Sequence, residues 1–218
     1  MQFIWYGQSC FRIEGEQAIV VTDPFGKDYG LRLPRWTADI VTVSHAHGDH
    51  NNIEAVKGTE TTQQPFVITD PGEYETRGCF IYGIPAFHDE SKGSERGRNI
   101  IYRIEMDGVS ITHLGDLGHE LEPEQLERLE GTDILLLPVG GVYAIDGKTA
   151  TKVVNQIEPR VIIPMHYKIP GLKTSKPLEG LDAFCKEIGI CPAESLTKYK
   201  IAKKDLPQED MQVVLMSP

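Results

Sequence analysis

Residues 40–50 run IVTVSHAHGDH, an apolar stretch that passes without a break into three histidines and an aspartate. A run such as IVTVS has no polar face, so as a strand it must be covered on both sides. Such a strand lies inside a sheet, and the sheet must carry a packed layer on each face. The imidazoles cannot follow the strand into that interior. They belong at its end, where the chain leaves the sheet and where α/β folds build their sites.

The rest of the chain supplies the layers. QFIWYG, SCFRIEG and QAIVVTD are rich in β-branched and aromatic residues and are separated by glycine-containing turns, which predicts three early strands. FVIT (66–69) and GCFIYGIPAFH (78–88) predict two more. RNIIYRIE and SITHLGD flank Asp107-Gly108, a pair suited to a tight type I′ hairpin. NNIEAVKG, directly after the histidines, predicts a short helix stopped by Gly58. Further on, EPEQLERLEG (122–131), KTATKVVNQIEP (148–159) and PLEGLDAFCKEIG (177–189) predict helices. They alternate with the apolar strands DILLLPV (133–139) and RVIIPMH (160–166), and KYKIA and QVVLM are expected to close the chain as strands. The class is α/β (α+β): two sheets face to face with helices outside. No repeat or linker breaks the chain, so one domain over residues 1–218 is expected.

Charge narrows the partners. Lys plus Arg number 22 against 32 Asp plus Glu, a formal charge of −10, which opposes binding to a phosphate backbone. No nucleic-acid partner is expected. The opening MQFIWYGQSCFRIEGE lacks a basic leader and a long apolar run, and no apolar stretch is long enough to span a bilayer. A cytoplasmic protein is the expectation. Cys10, Cys79, Cys185 and Cys191 form no CxxC pair, so reduced, mostly packed cysteines are expected; a Cys185–Cys191 disulfide is the open alternative, for which nothing in the sequence argues.

The other ligand-type residues fall at equivalent places. His88 ends one predicted strand, His166 ends another, and Asp116 follows His113 in THLGD just past a third. In an extended segment positions i and i+2 point the same way, so His45 and His47 can grip one ion. Gly48 lets the backbone turn, and Asp49 and His50 can then face a second. Imidazole and carboxylate suit Zn, Mn, Fe or Ni.

HAHGDH resembles the HxHxDH motif of the metallo-β-lactamase fold superfamily. Asp23 in TDP, His88 in AFHD, Asp116 in LGD and His166 in PMHY are similar to its other motifs, in the same order, over nearly the whole chain. The local sequences FHD, THLGDLGH, LLPVGG and IPMHY look most like the UlaG-like branch of metal-dependent hydrolases. The resemblance implies a four-layer αββα sandwich of two mixed sheets flanked by helices, with a site in the crevice between the sheets. It implies two divalent ions, Zn or Mn first and Fe or Ni next. His45, His47 and His88 would hold one; Asp49, His50 and His166 would hold the other; Asp116 would bridge them. It further implies a metal-bound hydroxide as nucleophile, with Asp49 and Asp116 as the catalytic carboxylates. A small ester, lactone or phosphodiester would be the substrate. A non-catalytic metal-binding or ligand-sensing module on the same fold is the alternative.

Other residues are candidates of a second kind. Asp23 either orients a ligand or shapes the turn before Pro24. His113 reaches the site, supports a ligand or packs, and His119 in DLGHE is expected at the solvent-exposed rim. Arg96, Arg98 and Lys168 could hold an anionic group of a small-molecule substrate, although each alone reads first as surface charge. The polar segment DESKGSERGR (89–98) could form a mobile loop over the crevice. Gly140 and Gly141 are expected in a tight loop at the site wall, with Tyr143 and Asp146 near substrate. A homo-oligomer is compatible with all of this.

Overall fold

The structure, a computed structural model, describes residues 1–32 and 34–218. Strands β1 (Gln2–Gly7), β2 (Cys10–Glu14) and β3 (Ile19–Thr22) form an antiparallel meander. In β1, Phe3, Trp5 and Gly7 are buried while Gln2, Ile4 and Tyr6 are half-buried, the alternation of a strand with one inward face. After β4 (Trp36–Ala38) comes β5 (Ile40–Thr42), buried at every residue as IVTVS requires. It lies parallel between β3 and β7 (Phe66–Ile68). β6 (Val56–Gly58) pairs with β4 in a separate two-stranded ribbon.

The second sheet begins with an antiparallel run of β8 (Gly72–Thr76), β9 (Cys79–Phe87), β10 (Arg98–Met106) and β11 (Val109–His113). Asp107 and Gly108 have φ of 53° and 73°, which gives the expected tight hairpin between β10 and β11. β12 (Ile134–Pro138) and β13 (Val161–Met165) extend it in parallel and are buried throughout. Two-residue strands close both sheets: β14 (Tyr199–Lys200) on β1 and β15 (Gln212–Val213) on β13. The first sheet therefore runs β14-β1-β2-β3-β5-β7 and the second β15-β13-β12-β11-β10-β9-β8.

One buried cluster joins Phe3, Trp5, Phe11 and Ile68 of the first sheet to Ile81, Ile101 and Leu136 of the second. Helices α1 (Pro123–Leu129), α2 (Gly147–Ile157) and α3 (Leu181–Ile188) add Leu129, Val153, Val154 and Phe184 to it. Polar bonds also cross between the sheets. The Tyr102 hydroxyl is shared between the carbonyls of Val43 and Ile68 at 2.9 and 3.1 Å, and Ile100 N donates to Ser44 O at 2.9 Å. The expected sandwich is present. Its outer layer over the first sheet is built from the β4–β6 ribbon and two 3-10 turns, Lys27–Tyr29 and Ile53–Ala55, over Cys10, Val21, Phe25 and Val41.

Several predicted elements differ in extent. NNIEAVKG forms one 3-10 turn and then β6, not a helix. Asn52 anchors to the Pro24 and Phe25 carbonyls, and Val56–Gly58 finds β4 as a partner, so pairing overrides local preference. α3 starts only at Leu181, because Glu179 pairs its backbone with Gly140 and Lys168 before Gly180 caps the helix. GEYET (β8) and WTA (β4) are strands the sequence reading missed. The expectation of four reduced cysteines is also corrected. Gly189, with φ of 74°, turns the chain back after α3, and Cys185 and Cys191 form a disulfide with their Cα atoms 5.5 Å apart. Cys10 and Cys79 are free and buried. Among the described residues no helix is long and apolar enough to cross a membrane.

Candidate metal centre

Four strand ends meet at one edge of the sandwich. His45–His50 follow β5, His88 follows β9, Asp116 lies just past β11 and His166 follows β13. The structure brings all seven residues together in two sets. His45, His47 and His88 form one; Asp49, His50, Asp116 and His166 form the other. Within each set one donor atom per residue lies within 4.8 Å of the rest. Asp116 stands between them. Its Oδ2 is 3.3 and 3.9 Å from Nε2 of His88 and His45, and 3.2 and 3.4 Å from Nε2 of His50 and His166. One carboxylate oxygen thus faces imidazoles of both sets.

Buried hydrogen bonds fix these rings. Asp23 accepts from Ser44 N at 2.7 Å and Ser44 Oγ at 2.6 Å, and its Oδ2 lies 2.8 Å from His50 Nδ1. Ser44 Oγ in turn lies 3.0 Å from His45 Nδ1. Asp23 therefore fixes one ring of each set, directly for His50 and through Ser44 for His45. The β1–β2 turn is a second support. Gln8 Nε2 donates to Asp49 Oδ2 at 3.0 Å and lies 3.4 Å from His166 Nε2, while Gln8 O accepts from His166 N at 3.1 Å. Ser9 Oγ reaches Asp116 Oδ1 at 3.4 Å, and Asn99 Oδ1 accepts from Asp116 N at 3.0 Å. Gln8, Asp23 and His166 have φ of 48°, 41° and 52°, a left-handed backbone that L-residues hold only when their surroundings enforce it. Gly115 is forced by space as well: a Cβ there would lie 2.4 Å from Asn99 Oδ1.

The charges favour cations. Burial opposes ionisation of Asp116, but His166 and His50 outweigh it and hold its carboxyl well below the usual range. Burial likewise opposes charge on Asp49 and Asp23, and His50, helped by His166 at Asp49 and by His113 and His45 at Asp23, outweighs it. Burial also disfavours a charged His50, yet Asp116, Asp49 and Asp23 together raise its pKa well above 6.5. Three carboxylates thus lean on one imidazolium, an excess of negative charge that invites positive ions. By contrast, burial and then the nearby His50 push His45 down to about 3, which keeps it a neutral donor. Nε2 of His45 and His50 are buried and make no hydrogen bond among the described residues. A buried donor set with free imidazole nitrogens around a shared carboxylate fits a divalent cation in each half.

The remaining candidates divide. His113 is fully buried: Nε2 donates to Ser9 O at 2.8 Å and Nδ1 accepts from Gly115 N at 3.2 Å. Burial lowers its pKa, so it is a neutral brace holding β11 against the β1–β2 turn. His119 is not a solvent-exposed rim residue; it is half-buried, accepts from Phe87 N at 3.2 Å and pairs with Glu120 O. Segment 89–98 is folded about Asp89, whose carboxylate accepts from the backbone N of Gly93, Glu95 and Arg96, so it is a braced turn and not a loose loop. The Arg96 guanidinium is committed to the Tyr143 carbonyl at 3.0 Å. Tyr143 itself bonds Ser175 Oγ and Lys176 N, and Asp146 caps α2 through Thr149 N. Gly140 packs against the His166 backbone, where a Cβ would lie 2.1 Å from His166 O. Lys168 is exposed and does not line the crevice beside His45 and His47. Gln8, Ser9, Ser44 and Asn99 were missed in the sequence; the one signal there was the GQS turn between two predicted strands.

Beside His45 and His47 a crevice of about 680 Å³ opens between the ends of β7 and of β9–β10. A family model described as the Beta-lactamase superfamily domain matches residues 2–166. The chain belongs to the metallo-β-lactamase superfamily. Within that superfamily it is 34% identical over 184 residues to a "UPF0173 metal-dependent hydrolase" of Thermococcus onnurineus, covering 74% of this chain and 82% of the relative. It is 30% identical over 227 residues to a protein of the same name from Nitratidesulfovibrio vulgaris, covering 88% of this chain and 93% of the relative. A solved Thermotoga maritima structure, described as a candidate Zn-dependent hydrolase of the metallo-β-lactamase superfamily, matches with a TM-score of 0.79 and 38% identity. It covers 99% of this chain and 97% of that one.

Proposed function

We propose that the chain is a dinuclear metal-dependent hydrolase of a small ester, lactone or phosphodiester, built as one domain over residues 1–218. The observation that carries this is Asp116 Oδ2, which lies within 3.2–3.9 Å of imidazole nitrogens from both donor sets. His45, His47 and His88 would hold one ion, Asp49, His50 and His166 the other, and Asp116 both. Bound divalent ions would supply Lewis acidity to a carbonyl or phosphoryl oxygen and lower the pKa of water towards about 7.

The chain's own residues do the rest. Asp49 stays ionised, because His50 and His166 together outweigh the burial that opposes it, so it can accept a proton from the attacking water. Gln8 holds that carboxylate in place through Oδ2. Asp23 keeps the Nδ1 side of His50 engaged and, through Ser44, that of His45, so both rings turn Nε2 inward. His113, neutral and buried, fixes the segment that carries Asp116.

The names of the Thermococcus and Nitratidesulfovibrio relatives support the hydrolase class. The test is metal content and turnover of generic ester and phosphodiester substrates, wild type beside His47→Ala. The expected result is two ions per wild-type chain, with loss of one ion and of turnover in the variant. Equal occupancy and equal rates would defeat the proposal. Full occupancy of wild type with no turnover on any substrate would favour a sensing module.

A further inference from the structure

We propose that the crevice beside His45 and His47 is a binding subsite for a substrate with an apolar body and a terminal anion, and that Arg98 holds the anion. Hydrolysis at the neighbouring centre is taken from the reading above; the subsite rests on separate observations.

The crevice, about 680 Å³, has the volume of a small-molecule site. Its wall is mostly apolar: Ala46 and Pro71 on one side, Pro85, Phe87 and Ile100 on the other. Such a lining gains from burying methylenes or an aromatic ring and gives little to a sugar or a multiply charged ligand. His45 and His47 line it too, so a molecule lying there presents one end to the metal centre.

Charge decides the other end. Arg96, Arg98 and Asp70 are the charged side chains on this wall, besides any histidine, among the described residues. Two guanidinium groups against one carboxylate leave one positive charge, in a chain whose formal charge is −10. The two arginines are not equivalent. Arg96 is tied to the Tyr143 carbonyl. Arg98, the first residue of β10, is exposed, and its guanidinium makes no hydrogen bond or ion pair among the described residues. A planar group with unspent donors suits a carboxylate or phosphate in two-point contact. Lys168 lies outside the lining. The shared chemistry is thus an acyl or aryl group of several carbons ending in a carboxylate or phosphate.

The test is calorimetric binding to the zinc-loaded protein of hydrolysis-resistant N-methylamides: hexanoic acid, adipic acid with its free carboxylate, and a phosphonate-terminated analogue. Wild type should bind each anionic ligand about tenfold or more tighter than the neutral one. In Arg98→Gln that preference should vanish with zinc content unchanged, and in Lys168→Gln it should persist. Shortening the neutral acyl chain should weaken binding about fourfold per methylene. The tighter of the two anionic ligands identifies the head group. Equal binding of charged and neutral ligands, or a preference that survives Arg98→Gln, would overturn the subsite. Turnover of p-nitrophenyl hexanoate, measured in parallel, separates the two readings. Turnover without charge preference removes the subsite alone, and charge preference without turnover removes the ester-hydrolase reading alone.

Discussion

The two halves of the metal centre are built differently. In the half formed by Asp49, His50, Asp116 and His166, the two imidazoles are 0% exposed and Asp116 is 2% exposed. Its members are braced by neighbours: Asp23 on the Nδ1 side of His50, Gln8 on the Asp49 carboxylate and the His166 backbone, Ser9 and Asn99 on Asp116. In the half formed by His45, His47 and His88, His47 is exposed and its ring has no hydrogen-bond partner among the described residues. The first half is charged, buried and preorganised. In the second, burial lowers the pKa of His45 and His47, and the half opens on the crevice. On the proposed reading, the buried half would hold its ion in place and the open half would meet the substrate.

The largest effect should come from the residue common to both halves. Asp116→Ala is expected to lower turnover by about 10³-fold and to remove ions from both sets, as metal analysis would read. If only one ion were lost, Asp116 would belong to one half alone. Next is Asp23→Asn, which keeps the shape but removes the charge behind His50. About 10- to 100-fold weaker metal binding is expected, measured by competition with a chromophoric chelator. Gln8→Ala should act in the same direction at the lower end of that range, about tenfold, and only on the buried half. An equal loss at both ions would erase the distinction drawn here.

A smaller effect separates the halves by pH. Asp116, Asp49 and Asp23 hold the His50 pKa well above 6.5, so in the metal-free protein its stabilising charge is complete below 6.5 and is lost as pH rises through the folded value. A metal ion must displace that proton. Affinity of the buried half should therefore rise with pH around neutrality and release a proton, which calorimetry in buffers of different ionisation enthalpy would count. His45, pushed down to about 3, is already neutral, and its half should show no such dependence through His45 above about pH 4. Proton release from the open half alone would reverse the assignment.

How much of this was legible follows from residue type. HAHGDH, His88, Asp116 and His166 were visible because ligand-type side chains at the ends of apolar strands are uncommon and point to one edge of a sheet. The supports were not. Gln8, Ser9, Ser44 and Asn99 carry amide and hydroxyl groups that occur in any loop, and their roles appear only when β1, β5 and β10 come together. β8 was missed because GEYET is largely polar and becomes a strand through the edge it shares with β9. The Cys185–Cys191 bridge was missed because six residues of separation carry no distance until Gly189 turns the chain. Arg96 and Arg98 looked alike in SERGRN; Asp89 and Tyr143, both distant in chemistry from that motif, made one a strut and left the other free.

The most direct measurement is anomalous diffraction from crystals of the zinc-loaded protein. The account predicts two peaks, one on each side of Asp116 Oδ2, the first among His45, His47 and His88 and the second among Asp49, His50 and His166. A single peak, or peaks that leave Asp116 without a metal contact, would contradict it.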